Sequence, residues 1–193
     1  MENLRYDKAD LLKAVEILKQ GGVIVYPTDT VWGIGCDATN AEAVARIYEI
    51  KHRADAKAML SLVDAPGRLQ AYIPEIPSVA WDLMECATRP ITIIYPSVRG
   101  LAANLIAEDG SAGIRITDEP FSKALCAALK KAVVSTSANI SGEPTPAFFS
   151  QISPAILEKA DYVVKFRRND KTPASPSSVI KLEVDSRFKI IRP

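Results

Sequence analysis

Three polar loops in this chain carry the residue types that binding and group-transfer chemistry need. The first is Tyr26-Pro27-Thr28-Asp29-Thr30-Val31-Trp32-Gly33-Ile34-Gly35. Two hydroxyls and a carboxylate sit there between an apolar run and two glycines, an arrangement suited to hydrogen-bonding a small polar substrate. The same residues also make an ordinary strand-ending turn, with Thr and Asp satisfying nearby backbone groups. The second is Lys51-His52-Arg53, with Lys57 four residues beyond Arg53. Cations at a helix end can converge on phosphates, and they are also what the helix dipole attracts. His52, the single histidine, stands between two cations and reads as a solvated bystander rather than a general base. The third is Ser135-Thr136-Ser137-Ala138-Asn139-Ile140-Ser141-Gly142. Its hydroxyls, amide and backbone N–H groups suit an oxyanion, or equally a capped turn rich in Ser and Asn. It contains neither a Gly-rich P-loop nor a GxSxG elbow.

Single residues add to these loops. Arg115 lies in Ala112-Gly113-Ile114-Arg115-Ile116. If buried there, it needs an anionic partner or a polar cleft; at period two it could instead face outward. Ser177-Ser178 opens a late apolar segment, and Arg192 falls in Ile190-Ile191-Arg192-Pro193.

The elements that must position these loops are legible from periodicity. Leu11, Leu12, Val15 and Leu18 recur at helical spacing, and Gly21-Gly22 stops that helix. A short strand is expected over 23–26 and then a loop. Asn40 can cap a helix with Ala43, Val44, Ile47 and Ile50 on one face, ending near Lys51. Further helices are expected over 79–86, 121–129 and 153–160, the last capped by Ser153. Strands are expected over 59–63, 91–95, 112–116, 133–134, 162–166, 179–182 and 189–191. The stretch 167–178 reads as a mobile connection or lid. Alternating helices and short strands, with the last two strands close in sequence, predict an α/β fold: a mixed parallel and antiparallel sheet covered by helices. Ligands of such folds sit on loops beyond strand ends.

The whole-chain numbers set outer limits. A length of 193 residues, 48 % hydrophobic and 24 % charged, fits one soluble domain over 1–193 with a real core. A net charge of +1 argues against a protein that lives on nucleic-acid electrostatics, so any contact with RNA is expected to be local or indirect. Cys36, Cys86 and Cys126 are odd in number and widely spaced, which favours a reducing compartment over a disulfide framework or a structural zinc site. The N-terminal residues lack a signal-peptide core, and no apolar run approaches membrane-spanning length, so a cytoplasmic location is expected.

Taken in order, the motifs resemble the YrdC-like family, whose best-characterised members are threonylcarbamoyl-AMP synthases. The resemblance runs from about Ala14 onward. Its pieces are Gly-Gly-x-x-x-Tyr-Pro-Thr-Asp-Thr-x-x-Gly at Gly21 to Gly33, Lys-x-Arg at Lys51 and Arg53, and Gly-Ile-Arg at Gly113 to Arg115. Ser-Thr-Ser-Ala-Asn-x-Ser-Gly follows at Ser135 to Gly142, then Ser177-Ser178 and Ile191-Arg192-Pro193. The chain departs from the family pattern at Ala54, Ala58, Thr88-Arg89 and Ala147. It stops after the Arg-Pro piece, so the resemblance implies no extra C-terminal domain. The implied activity joins L-threonine, bicarbonate and ATP into threonylcarbamoyl-AMP and pyrophosphate, for modification of tRNA. ATP is then a substrate, with Mg²⁺ on its phosphates and no metal held by the protein. Thr30, Thr28, Arg115 and Ser178 would meet threonine. Lys51, Arg53, Lys57, Ser135, Ser137, Asn139, Ser177 and Arg192 would meet ATP, with Lys51 and Arg53 catalytic. The expected partners are downstream tRNA-modification proteins, with weak contact to tRNA and none to membrane. Two other readings remain open at this stage: an RNA-binding module without chemistry, and a nucleotide-binding protein of the same fold with another substrate.

Overall fold

The computed structural model describes residues 6–52, 59–172, 174–183 and 187–193. Helix α1 (Lys8–Lys19) begins where the Asp7 carboxylate accepts the Ala9 amide at 2.8 Å. It buries Leu11, Ala14, Val15 and Leu18, and Gly21 ends it at φ +80°. Strand β1 (Ile24–Tyr26) leads through the first polar loop to β2 (Gly33–Gly35). Helix α2 (Ala41–Ile50) is capped by Asn40, whose side-chain oxygen accepts the amides of Glu42 and Ala43. Then come β3 (Leu60–Val63), α3 (Ser78–Cys86), β4 (Ile91–Tyr95) and β5 (Ala112–Ile116). Helix α4 (Pro120–Leu129), β6 (Val133–Ser137), α5 (Pro154–Leu157), β7 (Tyr162–Val163), β8 (Ser178–Leu182) and β9 (Phe188–Arg192) complete the order.

The strands form one sheet in the order β7-β1-β2-β6-β3-β5-β4-β8-β9. β1–β7, β3–β5 and β4–β8 run parallel; the other neighbours run antiparallel. The fold is thus α/β with a mixed sheet, as the alternation of elements predicts.

Register decides what each face carries, because cross-strand partners share a face and neighbours along a strand alternate. Val25 pairs with Ile34, Ile93 with Ile114 and Ile180 with Ile93. These residues share an apolar face that packs on α2 residues such as Val44 and Ile47. The opposite face has two halves. Ile24, Tyr26, Leu62 and Val133 are buried under α1 and α4 through Leu11, Phe121 and Leu125. The remainder, from β6 across to β9, carries polar residues.

Four local expectations shift. Residues 33–35, placed in a loop by their glycines, are strand β2. β6 runs to Ser137 rather than stopping at Val134, because β2 gives Thr136 and Ser137 a partner. β7 ends at Val163 rather than Phe166, since the amides of Lys165 and Phe166 turn to the Asp10 carboxylate at 3.0–3.1 Å. α5 spans Pro154–Leu157 rather than 153–160: Ser153 caps it, but the chain must turn so that Asp161 can meet the Val23 amide at 2.7 Å.

Candidate functional site

The uncovered half of the second face is the floor of a cavity of about 400 Å³. Alternation along the strands delivers Thr92, Arg115, Ser135, Ser137, Lys181 and Arg192 to it, while Ile93, Ile114, Val134 and Ile180 point the other way. Thr30 and Ser177 join from loop positions.

Arg115 is the least exposed cation of the cavity, at 3 %. Its Nη2 meets Asp29 Oδ1 at 3.0 Å and donates to Thr30 Oγ1 at 3.2 Å. The Asp29 contact is an ion pair without hydrogen-bond alignment, and Arg115 Nε has no hydrogen-bond partner. Burial outweighs the pair on both sides. It pushes the Asp29 carboxyl above its ordinary range although Arg115 pulls it down, and it pushes the Arg115 guanidinium below its own. The nearby positive charge of Arg192 adds to the second shift. Two guanidiniums, one of them buried with an unused N–H, make this floor a place for an anion.

The first loop is fixed by a relay of hydroxyls. Thr28 Oγ1 donates to the Val31 carbonyl at 2.8 Å and accepts the Thr30 amide at 3.0 Å. Its one proton is thereby used, so the Thr30 hydroxyl donates to it at 3.0 Å and turns a lone pair to Arg115. Thr28 positions Thr30 and does not itself line the 400 Å³ cavity.

Arg192 reaches the cavity through a break in register. Ile190 pairs with Ile180, but Arg192 pairs with Val179, so Ile191 is an extra residue. Without this bulge, Arg192 would share the face of Ile190; with it, Arg192 lies on the face of Val179 and Lys181. Its Nε donates to the Ser177 carbonyl at 2.8 Å. Ser177 Oγ in turn lies 2.8 Å from Thr92 Oγ1 and is 2 % exposed.

Other expected site residues stand behind the cavity wall. Lys51 is 1 % exposed, and its Nζ donates to the carbonyls of Ser137 and of Asn139, the latter at 2.6 Å. Asn139 donates its amide to the carbonyls of Ile140 and Glu143 at 2.9 and 2.8 Å. Both therefore shape the 135–142 loop rather than lining the cavity. Ser178 pairs with Ile91, on the face away from the cavity. His52 is exposed. Arg53 and Lys57 lie outside the described residues. Among the described residues, no three His, Cys, Asp or Glu side chains gather as a metal site, and no helix is long and apolar enough to cross a membrane.

The family model for Sua5, YciO and YrdC proteins, described as "Telomere recombination", matches residues 16–193. The chain belongs to the Sua5/YciO/YrdC family. Two relatives named threonylcarbamoyl-AMP synthase match over 161 residues, which is 82 % of this chain and 86 % of theirs. One, from Xanthomonas euvesicatoria pv. vesicatoria, is 37 % identical; the other, from Pseudoalteromonas translucida, is 33 % identical. The E. coli YciO structure superposes with a TM-score of 0.83 at 26 % identity, over 96 % of this chain and 89 % of that one. P. abyssi Sua5 complexed with L-threonine superposes with a TM-score of 0.86 at 22 % identity, a likeness of fold. It covers 98 % of this chain and 55 % of that one, so the present chain spans just over half of the Sua5 protein.

Within this family fold, one cavity residue and one residue behind the cavity wall escape a motif-based reading. Lys181 lines the cavity and pairs with Asp109 at 2.6 Å, and this contact holds the Asp109 carboxyl well below its usual range. Period-two counting from Val179 would have placed Lys181 on the cavity face. Asp29 sits inside the first loop, but its pairing across 86 positions with Arg115 leaves no mark in the sequence.

Proposed function

We propose that this chain is a threonylcarbamoyl-AMP synthase acting in the cytoplasm as one domain over 1–193. The observation that carries the reading is the buried Arg115, with an unpartnered Nε beside Arg192, in a hydroxyl-lined cavity of a chain whose relatives bear that name. Threonine's carboxylate lies on Arg115 and its polar side on Thr30. Arg192, Ser177, Ser135 and Ser137 hold the nucleotide, and the family resemblance assigns Arg53 and Lys57 to its phosphates. Lys51, Thr28 and Asn139 act by fixing the loops that carry these groups.

The reaction needs positioning more than proton transfer. Threonine's amine takes up CO₂ derived from bicarbonate to give a carbamate. A carbamate oxygen then attacks the α-phosphorus of ATP, and pyrophosphate leaves. Every partner is anionic or becomes so, and fixed guanidiniums in a partly dry cavity neutralise that charge without reorganising. Mg²⁺ enters as the counter-ion of the triphosphate, on phosphate oxygens. The product passes to downstream tRNA-modification proteins, with tRNA itself touched only weakly.

Mass spectrometry of a mixture of chain, ATP, bicarbonate and threonine tests the reading: the product carries the threonylcarbamoyl group on AMP, and pyrophosphate appears with it. Equal turnover with serine or other amino acids would assign another substrate. Salt-sensitive RNA binding with no binding of ATP would make the chain an RNA-binding module.

A further inference from the structure

We propose that Asp29 is a positioning residue that aims the Arg115 guanidinium at its ligand and makes anion binding in the cavity depend on pH. The inference rests on the functional reading above for the identity of the ligand, but not for the contact itself. Asp29 does not line the 400 Å³ cavity. It lines two neighbouring cavities, of about 730 and 290 Å³. It therefore acts from behind, through Arg115 Nη2, and its carboxylate is reached from another side than the ligand.

The guanidinium is planar and rigid, so contacts that hold its Nη2 limit where the rest of the fork can go. Nη2 is held twice, by Asp29 Oδ1 at 3.0 Å and by Thr30 Oγ1 at 3.2 Å. Nε is buried and has no hydrogen-bond partner, so with Nη2 held on Asp29 and Thr30 it is the donor of this fork left for a ligand. Thr30 is a neutral acceptor already committed to Thr28, so it cannot by itself offset a buried cation. Asp29 supplies the charge. When Asp29 is protonated it becomes a weak partner, and Arg115 loses the charged group that holds it.

The direction in pH follows. Burial raises the Asp29 pKa. The anchor is complete above that raised value and is lost as pH falls through it, at higher pH than for an ordinary aspartate. Among the described residues, Arg115 from β5 and Asp118 from the turn before α4 act on Asp29, Arg89 and Arg167 share the smaller cavity with it, and Asp64, Glu85, Arg89 and Lys123 share the larger one. Of these, Arg115 acts to lower the Asp29 pKa and Asp118 to raise it.

The test compares wild type with Asp29→Asn and Asp29→Glu in pyrophosphate release at varied threonine and ATP. Asp29→Asn raises KM for threonine by about 10²-fold, as displacement of an aligned binding group does. KM for ATP changes by less than about threefold. The acid limb of kcat/KM for threonine, present in wild type, disappears in Asp29→Asn and returns, shifted, in Asp29→Glu. Independently of turnover, the Arg115 ¹⁵Nε–H resonance of the full chain broadens or shifts in Asp29→Asn. Equal KM changes for both substrates, or an unchanged Arg115 resonance, would overturn the proposal. A wild type that releases no pyrophosphate but whose Arg115 resonance responds to Asp29→Asn would sink the functional reading and leave the positioning role standing.

Discussion

Lys51→Met separates two jobs that a cation at a helix end can do. In the structure its ammonium is buried and bonded to two carbonyls of the 135–142 loop. Methionine keeps most of the aliphatic stem and removes the donor. The Ser137 carbonyl still accepts the Asn139 amide at 2.9 Å, so it loses one charge-assisted bond, worth about 1.5 kcal/mol or more. The Asn139 carbonyl loses the Lys51 donor, and a buried unsatisfied carbonyl costs about 1–3 kcal/mol. Relief from burying an ammonium offsets part of this. A net loss near 3 kcal/mol corresponds, at about 2–4 °C per kcal/mol for a chain of this size, to a melting temperature lower by roughly 6–12 °C. Thermal melts by far-UV circular dichroism, with urea midpoints alongside, read this directly. A variant that melts within about 1 °C of wild type yet has lost all turnover would show that Lys51 serves the ligand and not the loop, and the reasoning would be wrong.

Gly35→Ala places a Cβ 1.9 Å from the Val134 carbonyl oxygen and 2.9 Å from the Tyr26 ring, so β2 cannot stay against β6; a loss of more than about 3 kcal/mol is expected in urea unfolding. Arg192→Ala removes a guanidinium from the cavity and from the Ser177 carbonyl, and should weaken ATP binding by calorimetry roughly tenfold or more while leaving the free energy of urea unfolding within about 0.5 kcal/mol of wild type. Asp161 has its pKa lowered by the Arg46 hydrogen bond, so its stabilising contribution is present above the unfolded value of 3.8 and lost as pH falls through the lower folded value. With 37 % of that side chain exposed the contribution stays under about 1 kcal/mol, and urea midpoints taken from pH 6 to pH 3 should fall less steeply in Asp161→Asn.

Much of the fold could be read from periodicity alone. The Ile91–Tyr95 and Ala112–Ile116 strands stand where their β-branched runs place them, and Asn40 caps its helix as its position suggests. β2 was hidden because glycine is a poor strand former. Its Gly35 is there because the Val134 carbonyl and the Tyr26 ring leave no room for a side chain, a constraint from two other strands. The cavity was legible as a set of polar residues and illegible as a geometry. Arg115 in an aliphatic strand asked for an anionic partner, and only tertiary packing shows that the partner is Asp29. Lys51 shows the converse: a cation at a helix end suggests phosphate, and the sequence holds no sign that this one also bonds the carbonyls of Ser137 and Asn139.

The extra residue in β9 also sets an arithmetic for the end of the chain. A straight edge strand would carry its arginine opposite Val179 with one residue fewer, so shortening Ile190-Ile191 to a single isoleucine keeps the side chain over the cavity. Adding one residue before Arg192 turns it to the outer side with Phe188 and Ile190, both already open to solvent. Length changes here are therefore unequal in effect: a one-residue deletion keeps the guanidinium position, whereas a one-residue insertion moves it to the other face.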